Sequence, residues 1–259
     1  MIQKTSLLAA GAVIGALAFS QCASAEEAKK DPTNIIPGTI SATLTAASNY
    51  LFRGISQTDN IPAVQGSFDY SVDIVEGFGI YAGVWGSNLN FKDGGDAQLE
   101  VDTYFGIQGA IDKFSWKFGG IYYGYPGTEH FRKYNYWEIA ASAGYDFGIA
   151  AVTVGLNYSP DYFGGSGSAF YPSGDIKIPM PFLTDFGPYV SAHIGHESMD
   201  RNSAFGAPDY TEWALGIGAK IQGFDVAVKY QDTNLSKSEC FAGRDWCGAT
   251  AVVTVSRTF

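Results

Sequence analysis

The sequence predicts an all-β fold, an up-and-down antiparallel transmembrane β-barrel of about twelve strands with short periplasmic turns and long extracellular loops. Three observations carry this prediction. Apolar and polar residues alternate with a period of two over stretches long enough to cross a bilayer at a tilt. Tight turns alternate with long connections along the chain, and Tyr, Trp and Phe recur near the strand ends.

Ahead of the barrel, residues 1–25 read as a secretory signal peptide: Lys4, an apolar stretch from Leu7 to Phe19, then Ala23-Ser24-Ala25. Cys22 does not make this a lipoprotein signal, because Gln21 places a bulky polar side chain where acylation signals carry a small one. Residues 26–38 lack alternation and form a flexible periplasmic lead-in, which leaves 39–259 as the barrel. Cleavage after Ala25 leaves 15 basic against 26 acidic residues, a net charge of −11. Such a surface is a poor partner for nucleic acid. Cys240 and Cys247 enclose six residues in an exported, oxidising setting, and a disulfide is their simplest account. No mature segment approaches 18 consecutive apolar residues, so no membrane-spanning helix is expected. Composition alone leaves a soluble secreted β-sandwich open.

The first strand, Thr39–Arg53, sets the pattern. Ile40, Ala42, Leu44, Ala46, Ser48, Tyr50 and Phe52 share one parity, and Ser41, Thr43, Thr45, Asn49, Leu51 and Arg53 the other. Ala63–Ile74, Phe78–Asn88, Ala97–Ile111, Phe114–Tyr125, Tyr134–Phe147 and Ile149–Tyr158 follow, then Ala169–Ile178, Gly187–Glu197, Tyr210–Ile221, Phe224–Gln231 and Ala249–Phe259. The eighth is the weakest, being interrupted by Pro172, Gly174 and Pro179. Tight connections fall at Val75-Glu76-Gly77, Asp112-Lys113, Gly148 and Gln222-Gly223, with long ones such as Gly54–Pro62, Ser198–Asp209 and Asp232–Gly248 between them. A Greek-key sandwich has no reason to alternate in this way.

Aromatics near strand ends fit an interfacial girdle: Tyr50, Phe52, Trp85, Tyr123, Tyr125, Tyr134, Tyr136, Trp137, Tyr158, Tyr210, Trp213, Tyr230 and Trp246. The last strand alternates through Ala251, Val253, Val255 and Arg257 to Phe259. This ending resembles the signal that outer-membrane barrels present to the barrel assembly machinery, with Arg257 departing from the usual apolar residue.

The stretch "LTAASNYLFRGISQTDNIPAVQGSFDYS", Leu44 to Ser71, resembles the TorF-type porins of Gram-negative bacteria, whose first hairpin carries a similar S-x-Y-x-x-R-G-x-S/T-Q run. The resemblance implies an outer-membrane β-barrel with channel activity, and it brings no catalytic residues.

The function expected is passive diffusion of small solutes or ions through a water-filled lumen. By parity, Arg53, Asp69, Asp73, Glu100, Asp102, Lys117, Glu138, Asp225 and Lys229 line it. Acids outnumber bases six to three in that set, which predicts a mild cation preference. The alternative is a structural, adhesion or receptor barrel whose side chains plug the lumen, since twelve strands leave limited width. In that case the loop around Cys240 and Cys247, with Phe241, Arg244 and Trp246, is the candidate surface. Enzymatic activity is not expected. The histidines are His130, in a long loop, and His193 and His196, which parity places on opposite faces of one strand, and the His before Ser-Asn-Gly of outer-membrane phospholipases is missing. No cofactor or metal is expected; "KDGGD", with Asp93 and Asp96, is too short for a calcium loop and reads as a solvated turn. The expected partners are outer-membrane lipids and lipopolysaccharide, the assembly machinery, and small solutes or ions.

Overall fold

The structure, a computed structural model, describes residues 37–94, 97–180 and 186–259. Residues 1–25, expected to be a signal peptide, and nearly all of the expected lead-in, 26–38, lie outside these residues. Twelve strands close into one antiparallel barrel: β1 (Thr39–Ala47), β4 (Ala63–Val75), β5 (Phe78–Asn88), β6 (Leu99–Ile111), β7 (Phe114–Gly124), β8 (Tyr136–Asp146), β9 (Ala151–Ser159), β10 (Ala169–Pro179), β11 (Tyr189–Met199), β12 (Tyr210–Ile221), β13 (Phe224–Thr233) and β14 (Thr250–Thr258). Each pairs with its chain neighbours, and β1 closes the ring by pairing with both β4 and β14. Closure leaves no strand edge, the condition for a sheet to sit in hydrocarbon. Two further strands, β2 (Leu51–Phe52) and β3 (Ile55–Ser56), form a separate hairpin.

Period two decides which side chain goes where. On β6, Glu100, Asp102, Tyr104 and Gln108 are buried inside, while Leu99, Ile107 and Ile111 are exposed and Phe105 is 71% exposed on the outer wall. The same exposed apolar belt includes Leu44, Phe68, Ile194, Leu215 and Val253 on other strands. A continuous apolar exterior of this extent is untenable in water, and on a closed barrel it is the surface that meets lipid. Inside, tyrosine rings lie across glycines: any side chain at Gly195 would collide with the Tyr171 ring, and at Gly218 with that of Tyr189. These pairings explain why so glycine- and tyrosine-rich a chain closes a narrow barrel.

β10 forms completely despite its prolines. It pairs without a break along β9, while Tyr171 and Pro172 make no register pair with β11, as a residue without an N–H donor dictates. The first strand, however, does not run to Arg53. It ends at Ala47, and Ser48–Pro62 turns into the lumen instead of forming an outer loop. Tyr50 and Phe52 therefore do not face the headgroup region, being 4% and 8% exposed inside the barrel. Several other aromatics assigned to the girdle also point inward. Trp85 packs on Tyr50 with ring centroids 5.4 Å apart, Tyr123 stacks on Tyr136 at 4.3 Å, and Tyr125, Tyr134, Tyr210 and Trp246 are buried. Trp137, Tyr158 and Tyr230 do face outward and are exposed.

Candidate functional site

The inward segment is a β-hairpin with Arg53-Gly54 at its tip. Phe52 pairs with Ile55, and the two residues between them have φ of 46° and 80°. Positive φ at both central positions is the type I′ arrangement that matches the twist of the flanking strands. Glycine is required at the second position: a Cβ on Gly54 would come within 2.6 Å of Thr233 Cγ2 on β13 and 2.8 Å of Glu212 Cβ on β12. The hairpin base is stitched by Gln57 N–H donating to Tyr50 O (2.8 Å), Ser56 Oγ to Asn49 Oδ1 (2.8 Å) and Asn49 Nδ2 to Asn60 Oδ1 (2.9 Å). Ser48 N donates to Val253 O at 2.9 Å, fixing the point where the chain leaves the wall.

From this tip Arg53, 2% exposed, reaches β8 and β11. Nη2 donates to Glu138 Oε1 (2.8 Å) and Oε2 (2.7 Å), and Nη1 donates to Glu197 Oε2 (2.7 Å). Its guanidinium carbon lies 4.2 Å from the Tyr171 ring centre, 4.8 Å from Phe52 and 5.6 Å from Tyr162. Glu138 is held from its own wall by Tyr123 Oη (2.9 Å) and Asn157 Nδ2 (2.8 Å). The bridge thus spans the barrel from the β1–β4 side to the opposite strands. A buried pair of this kind costs about 3–5 kcal/mol when one partner alone is removed.

A second cluster adjoins it. His193 Nδ1 lies 2.5 Å from Asp175 Oδ1 and Nε2 lies 2.6 Å from Glu212 Oε1; Tyr171 Oη donates to Glu212 Oε1 at 2.5 Å. Both ring nitrogens are occupied by carboxylates, Nε2 also lies 3.0 Å from Tyr171 Oη, and among the described residues no serine hydrogen-bonds to the ring. His196 faces outward, as parity requires.

The nine predicted lumen residues divide by depth. Arg53 and Glu138 meet in the bridge; Glu100 and Asp102 are buried at the loop end of β6. Toward the tight-turn end, Asp69 accepts from Tyr104 Oη and from Ser67 Oγ (2.7 Å), Lys117 Nζ sits 5.3 Å from the Tyr81 ring centre, and Asp225 accepts from Tyr189 Oη (2.7 Å). Lys229 is half-buried there, and Asp73 is exposed. Asp175, Lys177 and Glu212 belong to the lumen as well, and Glu197 has a larger role than parity alone shows; all four could have been read from the alternation of β10, β11 and β12.

Above the hairpin lies a cavity of about 460 Å³ lined by rings, among them Phe52, Tyr125, Tyr134, Phe163, Phe205 and Trp246, with Arg132 and Arg244. Burial, then its bond to Asp93, pushes the Tyr134 hydroxyl up to about 12. Asp93 also pairs with Arg132 at 3.9 Å, and Asp96 lies outside the described residues. Cys240 and Cys247 are joined, both 1% exposed. Their loop is not simply an outer surface, because it braces the hairpin: Ser56 N donates to Trp246 O (2.9 Å), and Trp246 Nε1 donates to Asp59 Oδ1 (2.8 Å). Lys92 pairs with the same Asp59.

A closed twelve-stranded antiparallel barrel with an apolar exterior, a charged interior and long loops at one end is an outer-membrane-type barrel. Residues 31–259 match the family described as Gcw_chp, bacterial proteins of unknown function, and the chain belongs to that family. No curated relative matches it in sequence. Among solved structures it resembles the NanC porin (TM-score 0.52, 10% identity, covering 85% of this chain and 98% of that one). It also resembles a structure from a study of in-meso crystallization of membrane proteins (0.50, 6%, 85% and 83%). An outer membrane channel from Pseudomonas putida F1 aligns at 0.49, with 9% identity over 88% and 99%. These likenesses are of fold.

Proposed function

We propose that the protein is an outer-membrane channel of the porin type, gated by its own hairpin and preferring cations. The observation that carries this is a lumen lined by ionisable side chains across which one hairpin is held by one arginine bridge. Carboxylates line the path, and what crosses it is a short segment tethered by that bridge rather than a wall-to-wall packing of side chains. Small solutes pass when the hairpin leaves. The ring of Glu100, Asp102, Glu138, Glu197 and Glu212 toward the loop end then favours cations at entry. The likeness of Leu44–Ser71 to the TorF-type porins supports the same reading, and the S-x-Y-x-x-R-G-x-S-Q run, Ser48 to Gln57, coincides with the hairpin. Export through cleavage after Ala25 and delivery by the assembly machinery through Phe259 belong to this reading, as do contacts with outer-membrane lipids and lipopolysaccharide.

The test is planar-bilayer conductance of the purified protein beside Arg53→Ala. Small or infrequent steps are expected from the wild type and larger, longer ones from the variant, with a reversal potential displaced toward cations in a salt gradient. Absence of current from both proteins would overturn the channel reading. The bracing of the hairpin by the disulfide loop favours one second reading, a permanently closed barrel whose ring-lined cavity takes up a ligand.

A further inference from the structure

We infer that Glu138 and Glu197, with the rings of Tyr171 and Tyr162, form a binding site for the guanidinium or ammonium group of a small organic cation, and that Arg53 occupies it as a tethered stand-in. This deepens the channel reading by naming the solute class that opens the path. The geometry is that of a cation receptor. Glu138 takes Nη2 through both oxygens at 2.8 and 2.7 Å, Glu197 takes Nη1 at 2.7 Å, and the Tyr171 ring centre lies 4.2 Å from the guanidinium carbon.

The site belongs to the wall and not to the hairpin. Glu138 and Glu197 stand on β8 and β11, Tyr171 on β10, and Glu138 is oriented by Tyr123 and Asn157 at 2.9 and 2.8 Å. Withdrawal of the hairpin therefore leaves the receptor assembled, with two carboxylates unneutralised. Occupation by Arg53 is also incomplete: Arg53 Nε and Glu197 Oε1 are buried and make no hydrogen bond among the described residues. An untethered guanidinium, free to rotate, can offer a donor to that oxygen. The site borders the 460 Å³ cavity, because Phe52 and Tyr162 line that cavity and also flank the Arg53 guanidinium.

A solute competes with a tethered group whose effective concentration is on the order of millimolar. Methylguanidinium chloride at about 10 mM is thus the probe, with equimolar NaCl as the control. In Arg53→Ala, methylguanidinium should raise the thermal midpoint of the full-length protein in detergent above the NaCl control, and Glu138→Gln in the same background should abolish the difference. In the wild type it should speed tryptic cleavage after Arg53 severalfold, which keeps the proposal testable if the alanine variant fails to fold. Equal midpoints and equal cleavage rates in the two salts would overturn it. Both readouts are independent of current, so binding without conductance would sink the channel reading and leave the site standing, while conductance without binding would do the reverse.

Discussion

Gly54→Ala tests whether the hairpin is a two-state element. The added Cβ occupies a residue with φ of 80°, where an L side chain costs about 1–2 kcal/mol. It also meets Thr233 Cγ2 at 2.6 Å and Glu212 Cβ at 2.8 Å, overpacking that costs about 1–3 kcal/mol. Both costs fall on the docked state, because an undocked tip is free of β12 and β13 and can relax its turn. Their sum, about 3 kcal/mol, raises the undocked population about a hundredfold. The assay is limited trypsin digestion of the folded protein in micelles. The Arg53–Gly54 bond is inaccessible when Arg53 is 2% exposed, and cleavage tracks the open population while reclosing outpaces proteolysis. Cleavage at this bond should accelerate by one to two orders of magnitude while the heat-modifiable gel shift of the folded barrel persists. An unchanged rate in an intact barrel would refute the reasoning.

Removing the Cys240–Cys247 link by paired serine substitutions should loosen the brace by about 2–3 kcal/mol for so short a loop, speeding cleavage after Arg53 while amide protection of the barrel strands stays constant. The Asp59 carboxyl is held below the usual range, first by its hydrogen bond to Lys92 and then by Trp246. A depressed folded value means this contact stabilises the brace above the unfolded value of about 4 and is lost as pH falls through the folded one. Hydrogen exchange at residues 245–247 should therefore be flat near neutrality and rise in excess of intrinsic rates only in acid, a step that Asp59→Asn should remove. Leu215→Arg, on the outer wall of β12 at 61% exposure, should destabilise the barrel in lipid bilayers by about 2–4 kcal/mol in denaturant titrations. No change there would mean that this face does not meet lipid.

The wall was legible in the sequence because alternation, closure and turn length all report one physical fact, that one side of each strand meets hydrocarbon. Glu100, Asp102, Glu138 and Asp225 were placed inward by parity and lie there. The hairpin was not legible, for a reason the same residues make plain. Period two records that Tyr50 and Leu51 sit on opposite sides of a ribbon, and it does not record that both sides of that ribbon are inside the barrel. Tyr50 and Leu51, 4% and 5% exposed, satisfy alternation and burial at once. Aromatic content misled in the same way, since a tyrosine ring lying across a lumen glycine and one at a headgroup leave the same trace in sequence. Arg53-Gly54 was the available signal: a dipeptide with glycine second, between short apolar runs, is hairpin chemistry.

In the proposed channel, closure and ionic preference are one feature of the lumen. Carboxylates set into a narrow wall are costly to bury unless a cation or water faces them. Toward the loop end the wall carries Glu100, Asp102, Glu138, Asp175, Glu197 and Glu212, and the bases facing them include Arg53, His193 and Lys229, of which His193 is bound to the wall on both ring nitrogens and Lys229 stands on β13. Of these, Arg53 is mounted on the hairpin, the segment that leaves in the proposed opening. When it does, the wall's demand for positive charge persists, and whatever enters must meet it. The residues that hold the hairpin shut are therefore the residues that select what replaces it, so any substitution that weakens docking through Glu138 or Glu197 should weaken cation preference in the open state as well. Substitution at Gly54 should open the path and leave that preference intact. Measuring reversal potentials for Gly54→Ala beside Glu138→Gln separates the two effects; a loss of preference in the glycine variant would break the link between plug and selectivity.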